Sequence, residues 1–133
     1  VEGTTERVPI RTPQDVVLVR QRTRTLAAGQ GLSLVDQTKV VTAASELARN
    51  TLEHGKGGEV LLEAVVNGSR RGIRLTFEDR GPGIPDLNAA LRDGFTTGTG
   101  MGLGLPGARR LMNEFSIEST PGQGTRVVVA RWK

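Results

Sequence analysis

The chain has 133 residues, 36% of them hydrophobic and 24% charged, a length and balance that fit one domain with its own core. It has no cysteine and one histidine, His54, which excludes disulfides, thiolate metal sites and any multi-histidine metal centre. No apolar run reaches membrane-spanning length and no signal-peptide segment opens the chain, so a cytoplasmic protein without a membrane partner is expected.

In chain order, Val8 to Arg11 reads as a short edge strand. Thr12-Pro13-Gln14-Asp15 then opens a helix, with threonine as cap, proline in the first turn and aspartate closing a capping box. Val16, Val19, Thr23, Leu26 and Ala27 recur at helical spacing until Gly29. Ser33-x-x-Asp36 predicts a second capping box and a longer helix, whose buried stripe is Val40, Ala44, Leu47, Ala48 and Leu52 and which stops by Gly55. The period changes after Gly58. Glu59 to Asn67 is a valine- and leucine-rich strand, Asn67-Gly68 is a hairpin turn, and Gly72 to Asp79 alternates as a half-buried strand. Some twenty-five glycine- and proline-rich residues follow, with a helical piece near Asp86 to Arg92; a loop of that length points to function. A helix from Pro106 to Asn113 and a hairpin (Phe115 to Thr120, Thr125 to Trp132) close the chain. The order is not alternating βαβ. It predicts an α+β fold, a two-layer α/β sandwich with a mixed, mainly antiparallel sheet and its helices on one face.

Eighteen basic residues against 14 acidic ones give a formal charge of +4, which suits an anionic partner. The basic residues are scattered, and the aromatics are limited to Phe77, Phe95, Phe115 and Trp132, so no nucleic-acid partner is expected. A polyanionic small ligand or an acidic protein accounts for the charge equally well.

Three segments carry chemistry. Glu46 and Asn50 lie four residues apart and share a helical face: a carboxylate that can accept a proton and an amide oxygen that can ligate a hard cation, or a solvated polar flank. Asp79-Arg-Gly81-Pro-Gly83 places a carboxylate at a strand end, followed by glycines that admit close approach of a ligand to the backbone; a stiffened Asp-x-Gly turn is the plainer reading. Gly94 to Gly107, with Gly98, Gly100, Gly102, Leu103 and Gly104 at its centre, leads into a helix and suits a phosphate-covering lid. Gly102-x-Gly104-x-x-Gly107 matches a dinucleotide pattern, but no strand precedes it and no acidic residue follows at the required distance. A P-loop signature is absent.

Taken in order, Glu-x-x-x-Asn, Asp-x-Gly-x-Gly and Gly-x-Gly-Leu-Gly resemble the N, G1 and G2 boxes of the GHKL family, the gyrase, MutL and histidine-kinase ATPases that share the Bergerat fold. The resemblance runs from about residue 37 to the end. It implies ATP and Mg²⁺ as cofactors, Asn50 as the metal ligand and Asp79 against the adenine amino group. It implies further that Gly81 and Gly83 line the adenine pocket, that Gly98, Gly100, Gly102, Leu103 and Gly104 wrap the phosphates, and that Thr125 assists adenine binding through water. Gyrase-like relatives need transducer domains, and sensor kinases a phospho-acceptor hairpin, for which 133 residues leave no room. Ser45-Glu-Leu-Ala-Arg-Asn50, Glu78 to Asp86, Arg110-Leu-Met-Asn-Glu-Phe115 and Arg131-Trp132-Lys133 are similar to the small bacterial serine/threonine switch kinases of the anti-sigma group.

That likeness implies a kinase with Glu46 as base, acting on STAS-domain protein substrates in a stress-response pathway and activating a phosphatase target once released. A homodimer is left open. An anti-sigma factor, with its partner surface on the Val16 to Ala28 helix, and a non-catalytic ATP-dependent binding module are the alternatives. His54 reads as an ordinary helix-end residue; Arg49 reads as a contact for phosphate or partner; Arg92, Lys56 and Arg109 are the cations that could reach the phosphates.

Overall fold

Local hydrogen bonds at Thr12 and Ser33 decide where the two long helices begin. In the computed structural model, which describes residues 5–91 and 104–133, strand β1 (Thr5–Ile10) runs into helix α1 (Pro13–Gly29). The Thr12 hydroxyl accepts from the Asp15 amide while the Asp15 carboxylate accepts from the Thr12 amide, a complete capping box. Helix α2 (Leu34–Glu53) starts differently from expectation. Ser33 Oγ accepts from the Asp36 amide at 3.1 Å, but the Asp36 carboxylate reaches across the fold to Arg131 at 2.9 Å. A long-range ion pair has taken the group that the local motif assigns to the cap.

The remaining elements are β2 (Gly58–Asn67), β3 (Arg70–Asp79), the single turn α3 (Leu87–Ala90), α4 (Leu105–Leu111), β4 (Glu114–Thr120) and β5 (Gly124–Trp132). The strands form one sheet in the order β1-β2-β3-β5-β4. Every pairing among the described residues is antiparallel, so the parallel component allowed by a mixed sheet is not found there. The final strand inserts between β3 and its own hairpin partner.

Alternation sorts the two faces. Val60, Leu62, Ile73, Leu75, Phe77, Val127 and Val129 point inward and are buried with Val40, Ala44, Leu47 and Ala48 of α2 and Val19 and Ala27 of α1. The other face carries ion pairs: Arg7 with Glu59, Arg74 with Glu63, and Arg126 with Glu78. With few aromatics the core is aliphatic, as composition requires. Each fully buried Leu or Phe is worth roughly 1.5–3 kcal/mol relative to exposure. Among the described residues no helix is long and apolar enough to cross a membrane.

This layout has one consequence for function. Asp79 is the last residue of β3, on the inward face that Phe77 shares, opposite Gly58 of β2 and Thr125 of β5. The sheet's apolar face therefore ends in a carboxylate.

Candidate functional site

Helix α2 supplies one wall. Its apolar stripe faces the sheet, and the adjoining flank carries Glu46, Asn50 and, at the C-cap, His54. The Asn50 carbonyl accepts from both the His54 and Gly55 amides, at 2.9 and 3.0 Å, which closes the helix. Lys56 at φ 58 and Gly57 at φ 101 turn the chain back toward β2. That tight return brings Gly55 against Asp79.

Asp79 is held on all sides. Its Oδ1 accepts from the amides of Gly81 at 3.0 Å and Thr125 at 3.2 Å. A Cβ on Gly55 would stand 2.5 Å from Oδ2, and one on Gly81 would stand 2.7 Å from the Gly55 carbonyl. Gly58 and Gly124 are just as tight, with a Cβ falling 2.0 Å from the Glu78 carbonyl and 2.1 Å from that of Asp79. Burial pushes the Asp79 carboxyl above its ordinary value; the Gly81 and Thr125 amides and the nearby His54 offset this only in part.

Beyond Asp79 the chain turns at Gly83, φ 78, where a Cβ would meet the Thr120 carbonyl at 2.6 Å. Two bonds pin this loop to the β4–β5 hairpin: Gly122 donates to the Pro82 carbonyl at 2.8 Å, and Ile84 donates to Ser119 Oγ at 2.7 Å. Ser119 in turn lies 2.9 Å from Thr125 Oγ1.

Together these residues enclose a cleft of about 440 Å³. Its walls are apolar (Leu47, Phe77, Ile84, Leu105, Ile117 and Val127), while Asn50, His54, Asp79 and Thr125 supply its polar groups. Apolar walls with one poorly hydrated carboxylate suit a flat heteroaromatic ring bearing an exocyclic amine.

At the α4 end, Gly104 (φ 69) begins α4, and a Cβ there would lie 2.6 Å from Glu46 Oε2. Glu46 Oε1 accepts from Arg49 Nη1 at 3.1 Å. Both side chains are substantially exposed, so the pair orients Glu46 more than it stabilises the fold.

Of the residues singled out from sequence, Asn50, Asp79, Gly83 and Thr125 line the same cleft. Gly81 does not line it. Its amide bonds the Asp79 carboxylate and its Cα packs on Gly55, so it holds the carboxylate from behind. Glu46 and Gly104 meet each other instead of the cleft's lining. Gly98, Gly100, Gly102 and Leu103, with Arg92, lie outside the described residues. Arg49 pairs with Glu46, and His54, read as a plain helix end, sits on the cleft wall. Sequence reasoning missed Gly55, Gly58, Gly124 and Ser119. The glycines registered only as a helix stop and turns, because what they accommodate is distant in the chain; nothing local marked Ser119.

Comparison with known proteins agrees with this geometry. Residues 35–133 match the model of the histidine kinase-, DNA gyrase B- and HSP90-like ATPases. The chain is 43% identical over 125 residues to the serine/threonine-protein kinase RsbT of Bacillus subtilis, covering 94% of each chain. It is 33% identical over 99 residues to an anti-sigma F factor of a Thermoanaerobacter species, covering 70% of this chain and 68% of that one. Among solved structures, the RsbU and RsbW domains of a Mycobacterium tuberculosis protein superpose with a TM-score of 0.68 at 22% identity; the match covers 98% of this chain but only 33% of that longer one. The catalytic domain of histidine kinase ThkA superposes at 0.59 and 19% identity, covering 96% and 98% of the two chains. The chain therefore belongs to the histidine kinase-, DNA gyrase B- and HSP90-like ATPase family, with the cleft between α2 and the sheet in the part of the chain that carries the match.

Proposed function

We propose that this ATP-using serine/threonine kinase phosphorylates STAS-domain regulators in a bacterial stress-response partner-switching pathway, and activates a partner phosphatase when released. The observation that carries the reading is Glu46 and Asn50 on one flank of α2, with Asn50 in the cleft that ends at Asp79 and Glu46 one turn away under Gly104. The likeness to RsbT along nearly the whole chain supports the kinase branch.

In this reading Asp79 accepts from the adenine amino group, the apolar walls clasp the ring, and the phosphates extend past Asn50 toward Gly104. Among the described residues no cluster of His, Cys, Asp and Glu could cage a metal ion. An Mg²⁺ shared between the Asn50 amide oxygen and the phosphates fits that donor set. When bound, it neutralises phosphate charge. Arg49 occupies Glu46 Oε1, which leaves Oε2 to accept the proton of the substrate hydroxyl. The hydroxyl oxygen then bonds to the γ-phosphorus as the bond to the β-phosphate oxygen breaks, giving phosphoserine or phosphothreonine and ADP.

Labelled ATP with a purified STAS-domain protein tests this directly. Glu46→Gln should bind ATP nearly as well as the parent and transfer phosphate ~100-fold more slowly or worse. Transfer at the parent rate would remove Glu46 as base.

The anti-sigma F factor matches favour a second reading, a kinase that also sequesters a sigma factor. Parallel pull-downs with a STAS protein, a sigma factor and a phosphatase regulator separate the two. Tight ATP binding with no phosphoserine or phosphothreonine in any substrate would leave a non-catalytic ATP-dependent binding module.

A further inference from the structure

We propose that Ser119 sets nucleobase selectivity by forcing the Thr125 hydroxyl to act as a hydrogen-bond donor into the cleft. This rests on the reading that the cleft holds adenine.

Ser119 and Thr125 face each other in the β4–β5 register, on the inward side that also carries Ile117 and Val127. Ser119 Oγ receives the Ile84 N–H at 2.7 Å. Its own single proton has two reachable acceptors, Thr125 Oγ1 at 2.9 Å and the Gly124 carbonyl at 3.4 Å. The second is at the limit of a hydrogen bond, so the proton goes to Thr125. Thr125 Oγ1 is then occupied as an acceptor from the Ser119 side, and its own proton turns to the cleft it lines.

Next to it stands Asp79, whose carboxylate only accepts when ionised. The wall thus offers an acceptor beside a donor. Adenine presents the complement, an exocyclic amine beside a ring nitrogen with a free lone pair. Guanine presents the reverse, a carbonyl beside a ring N–H. A buried polar group left facing its own kind is costly, so the pair discriminates strongly. Without the Ser119 hydroxyl, the Thr125 O–H rotates freely and meets either edge. The relay works equally through one bridging water, because its direction is set on the protein side.

Ser119 also anchors the Pro82–Ile84 loop through Ile84, so loss of affinity alone would not separate selection from support. The test compares ATP with 1-deaza-ATP, which carries C–H in place of the ring nitrogen, by titration calorimetry. The parent should bind the analogue about tenfold more weakly than ATP. Ser119→Ala should bind both within about twofold of each other, and Ser119→Thr, which keeps the hydroxyl, should restore the gap. If the parent binds both equally, the adenine-edge reading fails and the proposal with it. If the parent discriminates and Ser119→Ala keeps the same gap, the relay is refuted while the adenine reading stands, and Ser119 is only a loop anchor. Should Ser119→Ala not fold, Ser119→Cys carries the same comparison, since a thiol is a poor donor: a gap as wide as the parent's overturns the proposal.

Discussion

Replacing Asp79 by asparagine should weaken nucleotide binding and stabilise the empty protein at neutral pH. The amide oxygen of Asp79→Asn can still accept from Gly81 and Thr125, so the local fold is kept. The amide nitrogen then takes the place of Oδ2 beside Gly55 and presents a donor where the ligand amine needs an acceptor. Loss of one hydrogen bond to a charged group is worth about 1.5–3 kcal/mol, or roughly 10- to 150-fold in affinity. Stability moves the other way. Burial raises the Asp79 carboxyl in the folded state, so the folded protein holds this proton more tightly than the unfolded chain. Below the ordinary aspartate value both states are protonated and no penalty exists. As pH rises through the raised folded value the carboxylate ionises in place, and the fold loses stability that the asparagine variant keeps. Thermal melts of the empty protein should therefore show the variant at or above the parent at pH ~7, with the difference shrinking toward pH ~4. Calorimetry with ATP measures the other half. Unchanged ATP affinity would refute the adenine-side role of Asp79. A variant less stable than the parent by the same margin at both pH values would refute the burial argument.

Other substitutions separate support from chemistry. Gly55→Ala places a Cβ 2.3 Å from Asp79 Cγ, and overpacking of this kind costs about 1–3 kcal/mol; both the melting temperature and ATP affinity should fall. Arg131 donates to the Leu111 carbonyl and to Asp36 and is only 16% exposed, tying the end of α4 to the start of α2. Arg131→Ala should lower the urea midpoint by the equivalent of about 1–3 kcal/mol and leave the ATP/1-deaza-ATP ratio unchanged.

How much of this was legible follows from how far apart the partners lie in the chain. Both helix starts could be read because a cap and its acceptor are three residues apart. The Asp36 side chain could not, because Arg131 stands 95 residues away and wins it from the cap. The β2–β3 and β4–β5 hairpins were readable from their turns, whereas the insertion of β5 between β3 and β4 was not. Alternation in Ile73, Leu75 and Phe77 already implied that Asp79 points inward; its partner Thr125 sits 46 residues on, where only the resemblance to a known family suggested it. Ser119 had neither kind of signal.

The glycines show where sequence reasoning gave the right residues a wrong cause. Asp-x-Gly-x-Gly suggested glycines that let a ligand approach the backbone. In the structure Gly55, Gly58, Gly81 and Gly124 instead let neighbouring chain segments close around Asp79. Side chains at those positions would push the carboxylate out toward water or separate β3 from its neighbours. Small residues do what apolar bulk could not: they strip water from the carboxylate while leaving its outer edge open to the cleft. A poorly hydrated acceptor forms a stronger bond to an incoming amine than a solvated one, because less water must be displaced first. The raised Asp79 proton affinity and the nucleotide preference are then two results of one arrangement. A substitution that rehydrates Asp79 should lower both together.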